Sequence, residues 1–314
     1  MRNPAGDRLS GLPERVSVYE VGPRDGLQNE AVPVPLATKV SFIERLVSCG
    51  IAVIEATSFV SPRWVPQLAD ADELYPLLPR RPGVRLPVLV PNEAGLGRAL
   101  AAGARDIAVF GSATETFARR NLNRSVEESL QMFSPVVASA KSEGIWVRCY
   151  VSMCFGDPWE GPVEPGQVVR VCEQLMAMGC DELSIGDTIG VATPGQVHQV
   201  IEALESAGID RSTIAVHFHD TYGQALSNTL AALQSGVTTV DASAGGLGGC
   251  PYAESATGNL ATEDLLWMLH GLGIQTGIDL ESLAATSRWM ADQLGRPSPS
   301  RVVQALGNTR SGDA

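Results

Sequence analysis

The chain has 314 residues, 44% of them hydrophobic and 18% charged, with a formal net charge of −12. That apolar content supplies a large core and excludes a disordered chain, while the acidic balance excludes nucleic acid as partner, because phosphate binding needs a dense basic face. No apolar run approaches the ~20 residues that span a bilayer and none opens the chain as a signal peptide would, so no membrane partner is expected and the cytoplasm is the expected setting.

After a polar opening, residues 1–15, a β-branched run at Val16–Val21 reads as a strand and leads directly into Gly22-Pro23-Arg24-Asp25-Gly26. A helical pattern over 36–49 precedes a strand at Ile51–Thr57 containing Glu55, and a helix over 68–78 comes next. The alternation continues with Leu86–Val90 and a helix over 93–103, Asp106–Gly111 and 125–143, Ile145–Ser152 and 165–178, and Cys180–Gly186 and 194–207. Thr213–His219 with 223–235 and Val237–Ser243 with 262–271 complete eight strand–helix units. A further helix over 280–294 follows, then a polar and mobile tail, 296–314, with a short helix around Arg301–Leu306. Gly50, Gly103, Gly144, Gly179, Gly208 and Gly236 each stand where a helix must stop before a strand. Strict eightfold alternation predicts an α/β fold, the closed (β/α)₈ TIM barrel, as one domain over 16–295. The six cysteines form no Cys-x-x-Cys pair and are expected to be reduced thiols.

In such a barrel the active site gathers at the C-terminal ends of the strands. Arg24 and Asp25 after the first strand, Glu55 near the end of the second, Asp187 at the end of the sixth and His217-Phe218-His219 at the end of the seventh all fall there. One residue separates His217 from His219 on a strand, so both imidazoles project to one side and can share a cation. The alternative is two barrel-lining histidines satisfied by hydrogen bonds. Asp25 is a reachable oxygen ligand, and a mixed nitrogen and oxygen site suits Mg²⁺ or Mn²⁺ better than tetrahedral zinc. His198 and His270 fall in helices and read as surface or packing residues. Beyond the eighth strand, Gly245-Gly246-Leu247-Gly248-Gly249-Cys250-Pro251-Tyr252-Ala253 lacks the phosphate-loop ending and reads as a glycine-rich lid carrying a thiol.

These segments, with Gly-Pro-Arg-Asp-Gly-Leu-Gln-Asn-Glu at 22–30, Thr-Ser-Phe-Val-Ser-Pro-Arg-Trp-Val-Pro-Gln at 57–67, Gly-Asp-Thr-Ile-Gly at 186–190 and His-Phe-His-Asp-Thr-Tyr-Gly-Gln-Ala at 217–225, resemble the hydroxymethylglutaryl-CoA lyase family over about residues 16–295. The resemblance implies a metal-dependent retro-Claisen cleavage of 3-hydroxy-3-methylglutaryl-CoA, or a related acyl-CoA, to acetyl-CoA and acetoacetate, as in leucine degradation and ketone-body formation. It implies Asp25, His217, His219 and Asn259 as metal ligands, Arg24, Glu55, Asp187 and Cys250 in catalytic roles, and Arg24, Gln28 and Ser58 as substrate contacts. Within it, the base that takes the hydroxyl proton is Asp187 or a histidine of the metal site, Arg24 steadies the enolate and Cys250 returns a proton. Arg119, Arg120 and Arg124 are candidates to compensate the CoA phosphates, against the plainer reading of a solvated surface. The resemblance also leaves room for a homodimer. Related barrels perform Claisen condensation, and other branched or citramalyl-type CoA esters stay open as substrates; the Cys250 segment favours the lyase. Where the family usually places cysteines, this chain has Met153 and Asp157, so a different acyl pocket is expected.

Overall fold

In this computed structural model, residues 4, 6–249 and 258–307 are described. The first strand, β1 (Ser17–Glu20), pairs in parallel with the second on one side and with the eighth on the other, Tyr19 lying opposite both Val53 and Asp241. The second strand, β2, is formed in two pieces, Val53–Ile54 and Thr57–Ser58. Glu55 N donates to Glu20 O, whereas Ile54 N and Ala56 N donate to Arg85 O and Pro87 O, so the ring stays joined across the gap. Pro87 has no N–H to return a bond, which accounts for the interruption. β3 (Val88–Leu89), β4 (Asp106–Ser112), β5 (Trp146–Ser152), β6 (Glu182–Asp187), β7 (Ile214–Phe218) and β8 (Thr239–Ala242) continue in sequence order. The eighth meets the first and the barrel closes.

The helices form where their apolar stripes face this ring. α1 (Leu36–Ser48) buries Phe42, Ile43, Leu46 and Val47, a three-to-four spacing. α2 (Ala71–Leu77), α3 (Glu93–Ala101), α4 (Glu115–Leu122), α5 (Val126–Ser142), α6 (Pro165–Met178), α7 (Pro194–Ser206), α8 (Ala225–Gln234), α9 (Thr262–Gly271) and α10 (Leu280–Leu294) follow. Ser125 and Glu128 form a capping box that starts α5, and Thr193 with Gln196 does the same for α7. All six helix-ending glycines have positive φ, as their placement predicts. At Gly50 the φ is 95°, and an added Cβ would come within 2.4 Å of Gly277 O, so no side chain fits.

Three features depart from the expected pattern. Gly22–Gly26 is a single π-helical turn, α4 is an additional helix after β4, and Gly156–Asp157 pairs with Gly161–Pro162 as a small hairpin after β5. The stretch after Gly295 is not a free tail over its described part. α11 (Arg301–Gly307) is docked on α9 and α10, Arg296 pairs with Glu30, Ser298 Oγ donates to Gly245 O, and Ser300 Oγ donates to Asp264. No helix among the described residues is long and apolar enough to cross a membrane.

Candidate active site at the C-terminal mouth of the barrel

The π turn after β1 places Arg24 and Asp25 side by side at the rim, with Arg24 buried and Asp25 half-buried. On β7 the pleat sends Phe218 into the core and turns His217 and His219 toward the barrel axis. One ligand atom each from Asp25, His217 and His219 lies within 4.8 Å of the others, the spacing of a metal site. Asn259 comes from a segment laid antiparallel against the end of β7, where His219 faces it. Its Nδ2 donates to Asp25 Oδ2 at 2.8 Å and to Leu247 O at 3.2 Å.

Among the buried atoms of the mouth with no hydrogen-bond partner among the described residues are His219 Nδ1 and Asn259 Oδ1. Both carry lone pairs that a cation would use. Burial drives the His219 pKa down to about 4, so its ring is neutral and able to ligate. Asp25 is held at about 2 even though burial opposes ionisation, because Arg24, both histidines and Asn259 favour its anion. Charge balance points the same way. When ionised, the carboxylates of Asp25, Glu55, Glu182 and Asp241 exceed the guanidiniums of Arg24 and Arg148 by two, which a divalent ion neutralises.

Arg24 donates from Nε to Glu55 Oε2 at 2.5 Å and from Nη1 to Asp25 Oδ1 at 2.7 Å, and its guanidinium lies 5.1 Å from the centre of the Tyr150 ring. Glu55 is fully buried, and this contact fixes the angle of the Arg24 fork. Ser58 is buried at the end of β2, its Oγ accepting from Val60 N, and Gln28 is half-buried just beyond the π turn.

Asp187, at the end of β6, accepts Val191 N on Oδ1 and Ala192 N on Oδ2, at 2.9 and 3.0 Å. Burial raises its pKa to about 6 although those N–H groups pull the other way. Cys250 lies outside the described residues. Before it, the root of the glycine segment is held by two buried carboxylates. Glu20 Oε1 accepts Gly22 N and Ala244 N, and Glu263 accepts Gly245 N and the Ser287 hydroxyl.

Sequence reasoning missed Asp241, Arg148 and Tyr150, which line the barrel beneath the mouth. Asp241 Oδ2 lies 3.1 Å from His217 Nδ1 and accepts the Ser184 hydroxyl at 2.8 Å, while Arg148 reaches its Oδ1 at 2.5 Å. The signal was a charge at an inward position of β5 and β8, where a barrel strand normally carries an aliphatic residue. Met153 and Asp157 take structural places nearby. Met153 is buried with Phe117 and Ile189 at a left-handed φ of 59°, and Asp157 braces its loop through Thr114 Oγ1, Trp159 N and Glu160 N. His198 and His270 are remote, bonded to Ser235 and Thr276.

Known proteins carry the same architecture. A Danio rerio protein described as cytoplasmic 3-hydroxy-3-methylglutaryl-CoA lyase is 53% identical over 96% of this chain and 89% of its own length. The crystal structure of hydroxymethylglutaryl-CoA lyase from Pseudomonas aeruginosa matches with a TM-score of 0.93 and 46% identity, covering 95% of this chain and 99% of that one. An HMG-CoA lyase from Acinetobacter baumannii, solved with coenzyme A and 3-methylmalate, matches with a TM-score of 0.89 and 35% identity over 95% and 97%. The HMGL-like family model matches residues 15–290, nearly the whole barrel, and the chain belongs to that family.

Proposed function

We propose that the protein is a lyase that cleaves 3-hydroxy-3-methylglutaryl-CoA into acetyl-CoA and acetoacetate. The observation that carries this reading is the convergence of Asp25, His217 and His219 beside an arginine whose angle is fixed by a buried glutamate. The relatives' names supply the substrate. Asp25, His217, His219 and the Oδ1 of Asn259 would hold Mg²⁺ or Mn²⁺, whose chemistry is Lewis-acid stabilisation of charge on oxygen.

The reaction breaks one carbon–carbon bond without redox change. A base removes the 3-hydroxyl proton, the bonding pair passes to the acetyl fragment as a thioester enolate, and the enolate carbon takes up a proton. Asp187 is the better base of the two candidates, because a ligating imidazole has no lone pair left and a carboxylate near pKa 6 is poised for neutral pH. Arg24 has Nε and Nη1 committed to carboxylates, which leaves Nη2 as the arm that meets the developing oxyanion. Gln28 and Ser58 border the substrate. Cys250 supplies the final proton, a role that rests on the family's glycine–cysteine segment.

Arg120, stacked 4.4 Å over the Trp159 ring, and its neighbours Arg119 and Arg124 are the exposed cations offered to the CoA phosphates. A cytoplasmic setting agrees with the free thiols of Cys49, Cys149, Cys154, Cys172 and Cys180 and with the name of the zebrafish relative.

The test is acetyl-CoA release from 3-hydroxy-3-methylglutaryl-CoA by chelated protein and by protein reconstituted with Mg²⁺ or Mn²⁺, run beside a panel of branched and citramalyl-type CoA esters. Metal-dependent release, greatest with the proposed substrate, supports the reading. Condensation of acetyl-CoA with a keto acid in the absence of cleavage would overturn it.

A further inference from the structure

The two histidines of the site are held differently. His219 Nδ1 has no partner among the described residues, whereas His217 Nδ1 sits 3.1 Å from Asp241 Oδ2. Arg148, which can only donate, holds Asp241 Oδ1 and the Ser184 hydroxyl donates to Oδ2, so this carboxylate meets donors on both oxygens and acts as an acceptor. The proton between the two residues therefore belongs to His217 Nδ1. The ring nitrogen left for the metal cluster is Nε2, with its lone pair free. Asp241 is itself immobilised, because Ser184 Oγ donates to Oδ2 and Arg148 Nη2 donates to Oδ1. Arg148 is fully buried, 3.2 Å from Glu182 and lying 3.8 Å from the centre of the Tyr19 ring. All these partners stand on inward faces of β1, β5, β6 and β8, so the barrel wall itself sets the orientation of His217.

We propose that Asp241 is a positioning residue that locks His217 in the Nδ1–H tautomer and so keeps Nε2 available to the divalent ion; this rests on the metal-site reading above. Carboxylates behind ligating histidines orient the ring and raise its basicity. The geometry makes a particular forecast for Asp241→Asn. Arg148 can only donate, so it selects the amide oxygen, and the amide NH₂ must then face His217 Nδ1. That donor stabilises the opposite tautomer, with the proton on Nε2, and blocks ligation with almost no change in shape.

The experiment uses full-length protein labelled with [¹⁵N]histidine, with the His217 signals assigned through His217→Gln. In metal-free wild type, His217 is expected to show a protonated Nδ1 and an unprotonated Nε2, and in Asp241→Asn the reverse. Mn²⁺ affinity, read by electron paramagnetic resonance, is expected to fall roughly ten- to hundredfold in the variant. A protonated Nε2 in the wild type would overturn the proposal whether or not the variant folds. So would wild-type Mn²⁺ affinity in a folded Asp241→Asn. If the wild type itself binds no Mn²⁺, the metal-site reading fails, and the tautomer in the metal-free protein still decides the role of Asp241.

Discussion

His217 and His219 are separated by one residue, and their side chains end in the same cluster as Asp25. Replacing either with Ala is expected to lower metal occupancy and abolish cleavage while leaving the fold intact, since both face the mouth and not the apolar layer beneath the helices. Metal analysis beside circular dichroism checks this; a full metal complement with normal turnover would remove both residues from the site. Arg24→Met is expected to cost roughly 10²–10³-fold in kcat, the scale of losing one oxyanion donor, with metal binding retained. A loss confined to KM would make Arg24 a binding residue only. If Asp187 is the base, activity must rise with pH, because the acid form cannot accept a proton. The kcat profile should show an acid limb near pH 6, the value to which burial raises this carboxyl. A flat profile across pH 5–7 removes Asp187 from that role. Cys250→Ser is expected to lower turnover by ~10²-fold, since a hydroxyl is a far weaker acid than a thiol.

At the scale of elements, residue spacing located the eight strands well because buried parallel strands read as apolar runs bounded by glycine. The shortest pieces were not legible. The hairpin strands at Gly156–Asp157 and Gly161–Pro162 have two residues each, too few to show a period. α4 buries only Phe117 and Ala118 and, apart from Leu122, is otherwise polar, so its arginines read as a loop. The π turn depends on Val21 O receiving the N–H groups of both Arg24 and Gly26, a bond pattern that composition does not announce. The root of the glycine segment yields another prediction. Burial lifts Glu20 to about pKa 7, so the folded state binds a proton that the unfolded chain releases near its ordinary value of 4.5. The sign follows: any stability linked to this proton is full below about pH 4.5 and is lost as pH rises through 7. A shift of this size corresponds to roughly 3 kcal/mol. Glu20→Gln can still accept from Gly22 and Ala244 and cannot ionise, so its denaturant midpoint is expected to fall less between pH 5 and pH 8 than that of the wild type. Equal slopes would show that Glu20 does not set the alkaline loss.

For the molecule as a whole, the closed ring and the position of its mouth were legible from alternation alone, and with them the shared location of Arg24, Asp25, Glu55, Asp187, His217 and His219. The polar layer inside the barrel was not. Arg148 meets Asp241 across 93 residues of sequence, and only closure of the ring brings β5 opposite β8. The excess negative charge of that interior predicts a measurable dependence on metal. Removing the ion with a chelator is expected to lower Tm by several degrees, with Mn²⁺ restoring it, because a ligand that binds only the folded state stabilises it by mass action. An unchanged Tm would mean that the interior balances its charge by protonation.

The segment beyond Gly295 bears on how the protein is completed during synthesis. Every barrel strand and all the residues assigned to the chemistry precede it, yet the hydroxyl that holds Gly245 belongs to Ser298, and Arg296 ties Glu30 near the first turn. A nascent chain halted at Gly295 would therefore carry a finished barrel whose glycine segment is held at its root by Glu20 and Glu263 but still lacks the bond from Ser298. The contacts of Arg296 with Glu30 and of Ser298 with Gly245 are thus added to a barrel whose strands have already left the ribosome.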